Sequence, residues 1–145
     1  MVKMKKKTVI ILVLSLFVVL LSSCGGNSLT IEEYEWHLKT AMRIDDNQLS
    51  VIATGELDEA HPEAKIVDVT LKAANGRLTV TDKTNKKEYT GTYKVNGKTP
   101  EGTEYKVVIN GVEGYAGVAM TTYHDGTEQP TLPINLGSYS LYFYA

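Results

Sequence analysis

The sequence is poor in the residues that build catalytic and metal sites. Cys24 is its only cysteine, so the chain can form no internal disulfide and any folded domain must be held together by its core. It contains no Gly-x-Ser-x-Gly elbow, no glycine-rich phosphate loop and no calcium-loop spacing of acidic residues. The three histidines, His37, His61 and His124, are too scattered to suggest a ligand set. We therefore predict a protein that is not an enzyme and that holds neither a metal nor a cofactor.

Long apolar runs are absent with one exception, which extends from Val9 to Leu21 and is interrupted only by Ser15. Four lysines within residues 3–7 precede this run, and two small residues follow it. A basic head, a short apolar core and a small-residue exit are the three parts of a secretory signal peptide. A helix that crosses a bilayer needs about 20 apolar residues, and this run is shorter. We predict a helical signal peptide at residues 1–23, with a retained membrane-spanning helix as the alternative.

The four residues that end this leader are Leu21-Ser22-Ser23-Cys24. They resemble the lipobox of bacterial lipoprotein precursors. The resemblance implies that the Cys24 thiol receives a diacylglyceryl group and that a peptidase cuts just before it. Two or more acyl chains hold a protein stably on a membrane, and the glycines at 25–26 suit a flexible tether over residues 24–30. We expect a protein anchored to the cell membrane by lipid on Cys24, outside the cytoplasm; an ordinary signal peptide with a free cysteine is the alternative.

Positive charge is scarce once the leader is removed. Loss of its four lysines changes the formal net charge from −2 to −6. An acidic domain has no electrostatic attraction for phosphate backbones or for an anionic lipid surface. Binding to nucleic acid is therefore not expected, and the lipid rather than the protein surface would make the membrane contact.

The body of the chain alternates apolar and polar residues with a period of two, which is typical of half-buried antiparallel strands. Four Asx-Gly pairs punctuate the alternation and favour tight hairpin turns: Asn75-Gly76, Asn96-Gly97, Asn110-Gly111 and Asp125-Gly126. The pattern predicts eight strands at 34–43, 48–54, 65–73, 77–82, 87–95, 103–110, 114–124 and 137–145. The longest connections are predicted at Gly55–Ala64 and Gly126–Asn135, which both contain proline. Thr30 and Glu33 have the spacing of a capping box, which predicts one short turn before the first strand.

A meander of eight strands removes its open edges by closing on itself or by splitting into two packed sheets. We predict that residues 31–145 form one all-β domain, an eight-stranded antiparallel up-and-down barrel, with a β-sandwich as the alternative. The chain resembles the small lipocalin-like lipoproteins of bacteria in three segments. They are Glu35-Trp36-His37-Leu38 on the first strand, the segment Tyr89–Val95 and the aromatic last strand. That resemblance implies a barrel with a ligand-binding lumen.

The aromatic residues are the best candidates for binding. One face of a predicted strand carries Tyr115, Gly117, Ala119 and Tyr123. If this face points inward, the small residues between the two tyrosines would leave space for a ligand. We take Tyr115, Tyr123 and Tyr139 as candidate ligand-binding residues for a small apolar or aromatic molecule. If the face points outward, Ala116, Val118 and Met120 fill the core instead. The barrel would then be a structural or interaction protein that presents its surface to another envelope protein.

Overall fold

The computed structural model describes residues 28–53 and 62–145, with only the backbone for Ile52. The described chain contains ten strands and no helix. They are β1 (Trp36–Arg43), β2 (Leu49–Ala53), β3 (Lys65–Val67), β4 (Val69–Ala74), β5 (Arg77–Asp82), β6 (Lys87–Lys98), β7 (Gly102–Ile109), β8 (Val112–Thr122), β9 (Glu128–Leu136) and β10 (Tyr139–Tyr144). The predicted signal helix lies outside the described residues.

Eight of these strands close into a barrel. Around the ring, β1 is followed by β4 to β10 in chain order, and β10 pairs antiparallel with β1 to complete the circle. The predicted eight-stranded antiparallel barrel is thus confirmed, and the pairing of first and last strands excludes the sandwich. The two additional strands lie beside the ring: β2 pairs with the second half of β1, and β3 pairs parallel with β2.

The ring differs from the predicted strand set in two places. The predicted strand at 48–54 corresponds to β2, which lies beside the ring. The predicted connection at 126–135 contains Pro130 and Pro133, yet residues 128–136 form a ring strand between β8 and β10. Leu132 and Ile134 on this strand are fully buried, while Pro133 and Asn135 are exposed. The pairs with β8 are interrupted between Ala116–Ile134 and Ala119–Thr131, where Pro133 has no N–H to donate. Burial of the apolar parity therefore prevails over the cost of proline in the strand.

Bulges change the parity of two strands. A register shift between Leu38 and Thr40 in β1 turns Ala41 into the core, whereas uninterrupted alternation from Trp36 and Leu38 would place Met42 there. A second shift, between Val95 and Gly97 in β6, places Asn96-Gly97 inside a long strand, so the predicted hairpin turn there is wrong. The hairpin closes instead at Thr99, whose backbone exchanges hydrogen bonds of 2.8 and 3.3 Å with Gly102.

The barrel interior is filled by side chains. One continuous cluster of buried residues includes Trp36, Tyr105 and Phe143 from three separate strands, Tyr93 from β6, and Leu, Ile or Val from the other four strands of the ring. Trp36, Tyr105 and Phe143 are each at most 2% exposed. Burial of aromatic and branched aliphatic groups supplies the main stabilising free energy in a domain without disulfides.

The segment before β1 covers the barrel end at which β1 begins. Thr30 and Glu33 form the predicted single turn, with the Thr30 N–H donating to the Glu33 carboxylate over 2.9 Å. Ile31 is fully buried; its N–H donates to the Tyr105 hydroxyl over 3.1 Å, and its carbonyl accepts from Trp36 Nε1 over 2.8 Å. Trp36 itself is fully buried. Backbone polar groups of this cover are thus satisfied by aromatic side chains of the wall.

A groove on the outer face of β7 to β10

The face of β8 that carries the candidate tyrosines points out of the barrel. Tyr115 is 58% exposed, while Ala116 and Val118 on the opposite parity are buried in the core. Of the two directions that the sequence leaves open for this face, the outward one is therefore correct, and Tyr115 does not line a lumen. Met120 shares the inward parity but is 44% exposed, since it lies near the end of β8.

The other candidates occupy different places. Tyr123 follows the end of β8 and is half-buried on the same outer side as Tyr115. Tyr139 opens β10 at the opposite end of the barrel, pairs with Arg43 and is 42% exposed, so it does not line an enclosed lumen either. The structure brings Tyr115 and Tyr123 onto one face and leaves Tyr139 apart from them. Cys24 lies outside the described residues, and its lipidation stays a prediction.

Two adjoining cavities form a groove on this outer face, between the positions of Tyr115 and Tyr142. One has a volume of about 360 Å³ and is lined by Tyr115, Asn135 and their neighbours; the other has a volume of about 330 Å³ and is lined by Tyr142, Ala119 and their neighbours. Both cavities are lined by Glu104, Gly117 and Pro133, so they are parts of one groove. We call this feature the Gly117 groove.

The floor of the groove follows from small residues and from the break in pairing at Pro133. A Cβ atom built on Gly117 would meet no other atom within 4 Å, which shows that the space above it is open. In the cross-strand register, Glu104 lies between Gly97 and Gly117. The exposed Glu104 carboxylate is therefore flanked by two residues that have no side chain to shield it.

The far end of the groove is closed by hydrogen-bonded tyrosines. The Tyr123 hydroxyl lies 3.3 Å from Gln129 Oε1, and a hydrogen bond with the Tyr142 hydroxyl, reinforced by burial, raises the pKa of Tyr123. Thr121 and Thr131 share a hydrogen bond of 2.8 Å beside them. Tyr142, which lines the groove, therefore lies beside Tyr123 at this end.

The lining of the groove is acidic and aromatic. Its ionisable residues besides tyrosine are Glu101 and Glu104, and no lysine, arginine or histidine lines either cavity. Lys106 pairs with Tyr115 in register but is not among the lining residues. Among the described parts of the chain, no cluster of histidine, cysteine or acidic residues could hold a metal ion. The arrangement suits binding through carboxylate, amide and aromatic groups.

The sequence analysis grouped some residues of this face, but as candidates for an internal lumen. Tyr115, Gly117, Ala119 and Tyr123 were recognised by their shared parity, although their direction was left open. The sequence does not indicate that Glu104, Pro133, Asn135 and Tyr142 line the same surface. These residues come from three other strands, and one of those strands was predicted to be a connection. The alternation of residues in 131–135 could have indicated a strand there, since apolar Leu132 and Ile134 are separated by Pro133.

Comparison of the chain with protein-family models, curated proteins and solved structures found no match. A search of the described residues for helices long and apolar enough to cross a bilayer was also negative. Function must therefore be argued from the barrel and the Gly117 groove themselves.

Proposed function

We propose that this chain is a lipid-anchored, non-enzymatic lipoprotein of the cell envelope whose filled barrel presents the Gly117 groove to another envelope protein. One observation carries the proposal: the parity of β8 that was a candidate for lining a lumen lies outside, and the core is packed with side chains such as Trp36 and Phe143. A recognition surface on the outside of a rigid barrel needs no cavity inside it.

A second candidate function is the binding of a small aromatic or hydrophobic molecule in the groove itself. Two rings at opposite ends of the floor favour it: the exposed ring of Tyr115 and the half-buried ring of Tyr142 can stack on flat apolar ligands. The groove is shallow and open, however, and would bury little of such a molecule's surface. A partner protein covers more area and can use both the rings and the Glu104 carboxylate, so we place it first.

Anchoring is tested at Cys24. We expect the mature wild-type chain to begin with a diacylglyceryl-modified Cys24 and the variant Cys24→Ser to remain as an uncleaved precursor without lipid. Mass spectrometry of the mature N-terminus and fractionation of membranes measure both. An unmodified residue other than Cys24 at the N-terminus would remove the anchor from the proposal.

The partner is tested by photocrosslinking in the bacterium that produces the protein. The photoreactive residue p-benzoylphenylalanine replaces Asn135, which is exposed and lines the groove, or Glu88, which is exposed on β6 away from it. We expect a discrete protein adduct from position 135 and none from position 88. Equal adducts from both positions, or none from 135 while an aromatic dye binds the purified lipoprotein at micromolar concentration, would contradict the interaction role.

A further inference from the structure

No backbone conformation and no steric constraint requires a glycine at position 117. Positive φ angles explain Gly76, Gly111, Gly126 and Gly137. At Gly114, on the inner face of the barrel, an added Cβ would lie 2.2 Å from the Asn135 carbonyl oxygen, and at Gly91 and Gly102 it would be similarly close to backbone. Gly97 lies at the bulge in β6. Gly117 has neither a positive φ nor a close neighbour, although glycine weakens a strand interior. A strand glycine often marks a bulge, a tight bend or a place where a ligand approaches the backbone closely. β8 pairs with β7 without a bulge at Gly117, and the open space above this residue favours the approach of a ligand.

Glu104 provides the charge beside this opening. Its carboxylate is exposed between two glycines, and the described residues contain no ion pair that engages it. The groove's other acid is Glu101, and the mature chain carries a net charge of −6 if it begins at Cys24. Charge complementarity therefore favours a cationic group in the groove and disfavours a carboxylate or phosphate.

Tyr115 supplies a flat surface beside the carboxylate. Its ring and Glu104 line the same cavity of about 360 Å³, together with the Asn135 side chain. A planar guanidinium can stack on a tyrosine ring while its N–H groups donate to a carboxylate in a forked geometry. A lysine ammonium can satisfy the carboxylate but is more strongly hydrated and less suited to stacking.

We propose that the Gly117 groove binds an arginine side chain of the partner protein, with the guanidinium between the Tyr115 ring and the Glu104 carboxylate and the partner's backbone passing over Gly117. This inference rests on the proposed interaction function and specifies the chemistry of its contact. Pro133 widens the floor because the pairing of β8 and β9 is interrupted there, so an extended segment can lie across the two strands.

The test uses the mature lipidated chain, labelled with ¹⁵N and held in detergent micelles, with a synthetic peptide as the probe. Acetyl-Gly-Arg-Gly-amide is titrated to about 10 mM, and the matched control peptide carries citrulline, the neutral isostere of arginine. We expect saturable shifts of the amide resonances of Glu104, Tyr115 and Gly117 with the arginine peptide, and affinity at least tenfold weaker with citrulline. Saturation within this range requires a dissociation constant of about 1 mM.

Variants locate the contact. Glu104→Gln keeps the shape and removes the charge, and we expect it to weaken arginine binding at least tenfold. Gly117→Val fills the floor without meeting other atoms at its Cβ, and we expect it to abolish binding while the spectrum remains folded. Glu88→Gln, which removes an exposed carboxylate from the outer face of β6, should leave the affinity unchanged.

Three outcomes would overturn the proposal: citrulline binding as tightly as arginine, shifts that map outside the groove, or the same affinity for wild type and Glu104→Gln. A neutral oligosaccharide such as chitotriose is titrated in parallel, and binding of the sugar in the groove without binding of arginine would also overturn it. If arginine fails while the adduct at position 135 persists, only this inference is lost; if the adduct is absent as well, the interaction function fails with it.

Discussion

Two glycines on β8 allow a sharp test of which way the strand faces. Gly114 and Gly117 are three positions apart, on opposite parities. A Cβ at Gly114 would lie 2.2 Å from the Asn135 carbonyl oxygen and 3.1 Å from the Leu136 Cα, whereas a Cβ at Gly117 would meet nothing within 4 Å. The same substitution, glycine to alanine, should therefore have effects of opposite sign at the two sites.

The magnitudes follow from these contacts. Overpacking a core position costs typically 1–3 kcal/mol, and at Gly114 the obstacle is the backbone of a paired strand that cannot move aside as a side chain can. We expect Gly114→Ala to lower the free energy of unfolding by about 3 kcal/mol or more. At Gly117 the strand gains β-propensity on a scale that spans about 1 kcal/mol, so Gly117→Ala should raise the free energy of unfolding by a few tenths of a kcal/mol.

Urea denaturation measures both variants, with the emission of the buried Trp36 reporting unfolding. With an m-value of about 1.5 kcal/mol/M, the two midpoints should differ by about 2 M urea. Circular dichroism in the absence of urea verifies that each variant is folded. If Gly117→Ala were as destabilising as Gly114→Ala, the outward direction of this β8 face, and with it the groove, would be refuted.

Three further predictions concern the core and the covered end of the barrel. Trp36→Ala should lower the free energy of unfolding by about 3–5 kcal/mol in a urea titration followed by circular dichroism, because it leaves a large cavity and removes the hydrogen bond to Ile31. Thr103→Val should raise the free energy of unfolding by about 1 kcal/mol in thermal denaturation, since the Thr103 hydroxyl is buried without a hydrogen-bond partner; a loss would show that the hydroxyl has a partner. Burial and a hydrogen bond to Glu32 raise the pKa of Tyr93, so the folded state holds this proton more tightly and stability should fall as pH rises above about 10. Tyr93→Phe should flatten that part of the stability–pH curve, and an unchanged slope would assign it to other groups.

The barrel could be predicted because its evidence is local. Strand alternation and Asx-Gly turns are properties of short segments, and at Asn75-Gly76 and Asn110-Gly111 both residues adopt the positive φ that a two-residue hairpin requires. The bulge after Leu38 could not be read in the same way. Because of this bulge, Ala41 rather than Met42 points into the core. The bulge arises from pairing with β10, which lies about a hundred residues further along the chain. Long-range pairing, rather than local preference, decided this position.

β9 was missed because a local rule was applied where a tertiary one prevails. Proline is disfavoured inside sheets, and two prolines in 128–136 indicated a loop. Full burial of Leu132 and Ile134 compensates for the lost N–H groups, since each such side chain contributes roughly 1.5–3 kcal/mol when it is removed from water. The cost is confined to the interrupted pairing opposite Gly117, which becomes part of the groove floor.

The direction of β8, which decides between a lumen and a surface groove, follows from its neighbour on the chain. The turn at Asn110-Gly111 has two residues, so Ile109 must pair with Val112, and counting back along both strands places Tyr105 opposite Ala116 and Glu104 opposite Gly117. Paired residues on adjacent strands point to the same face. β7 places apolar Tyr105, Val107 and Ile109 on one face and Glu104, Lys106 and Val108 on the other. The first set is buried in the core, so the pairing carries Ala116 inward and Gly117 outward. The direction of β8 is thus decided by its pairing with a strand whose inner face is buried.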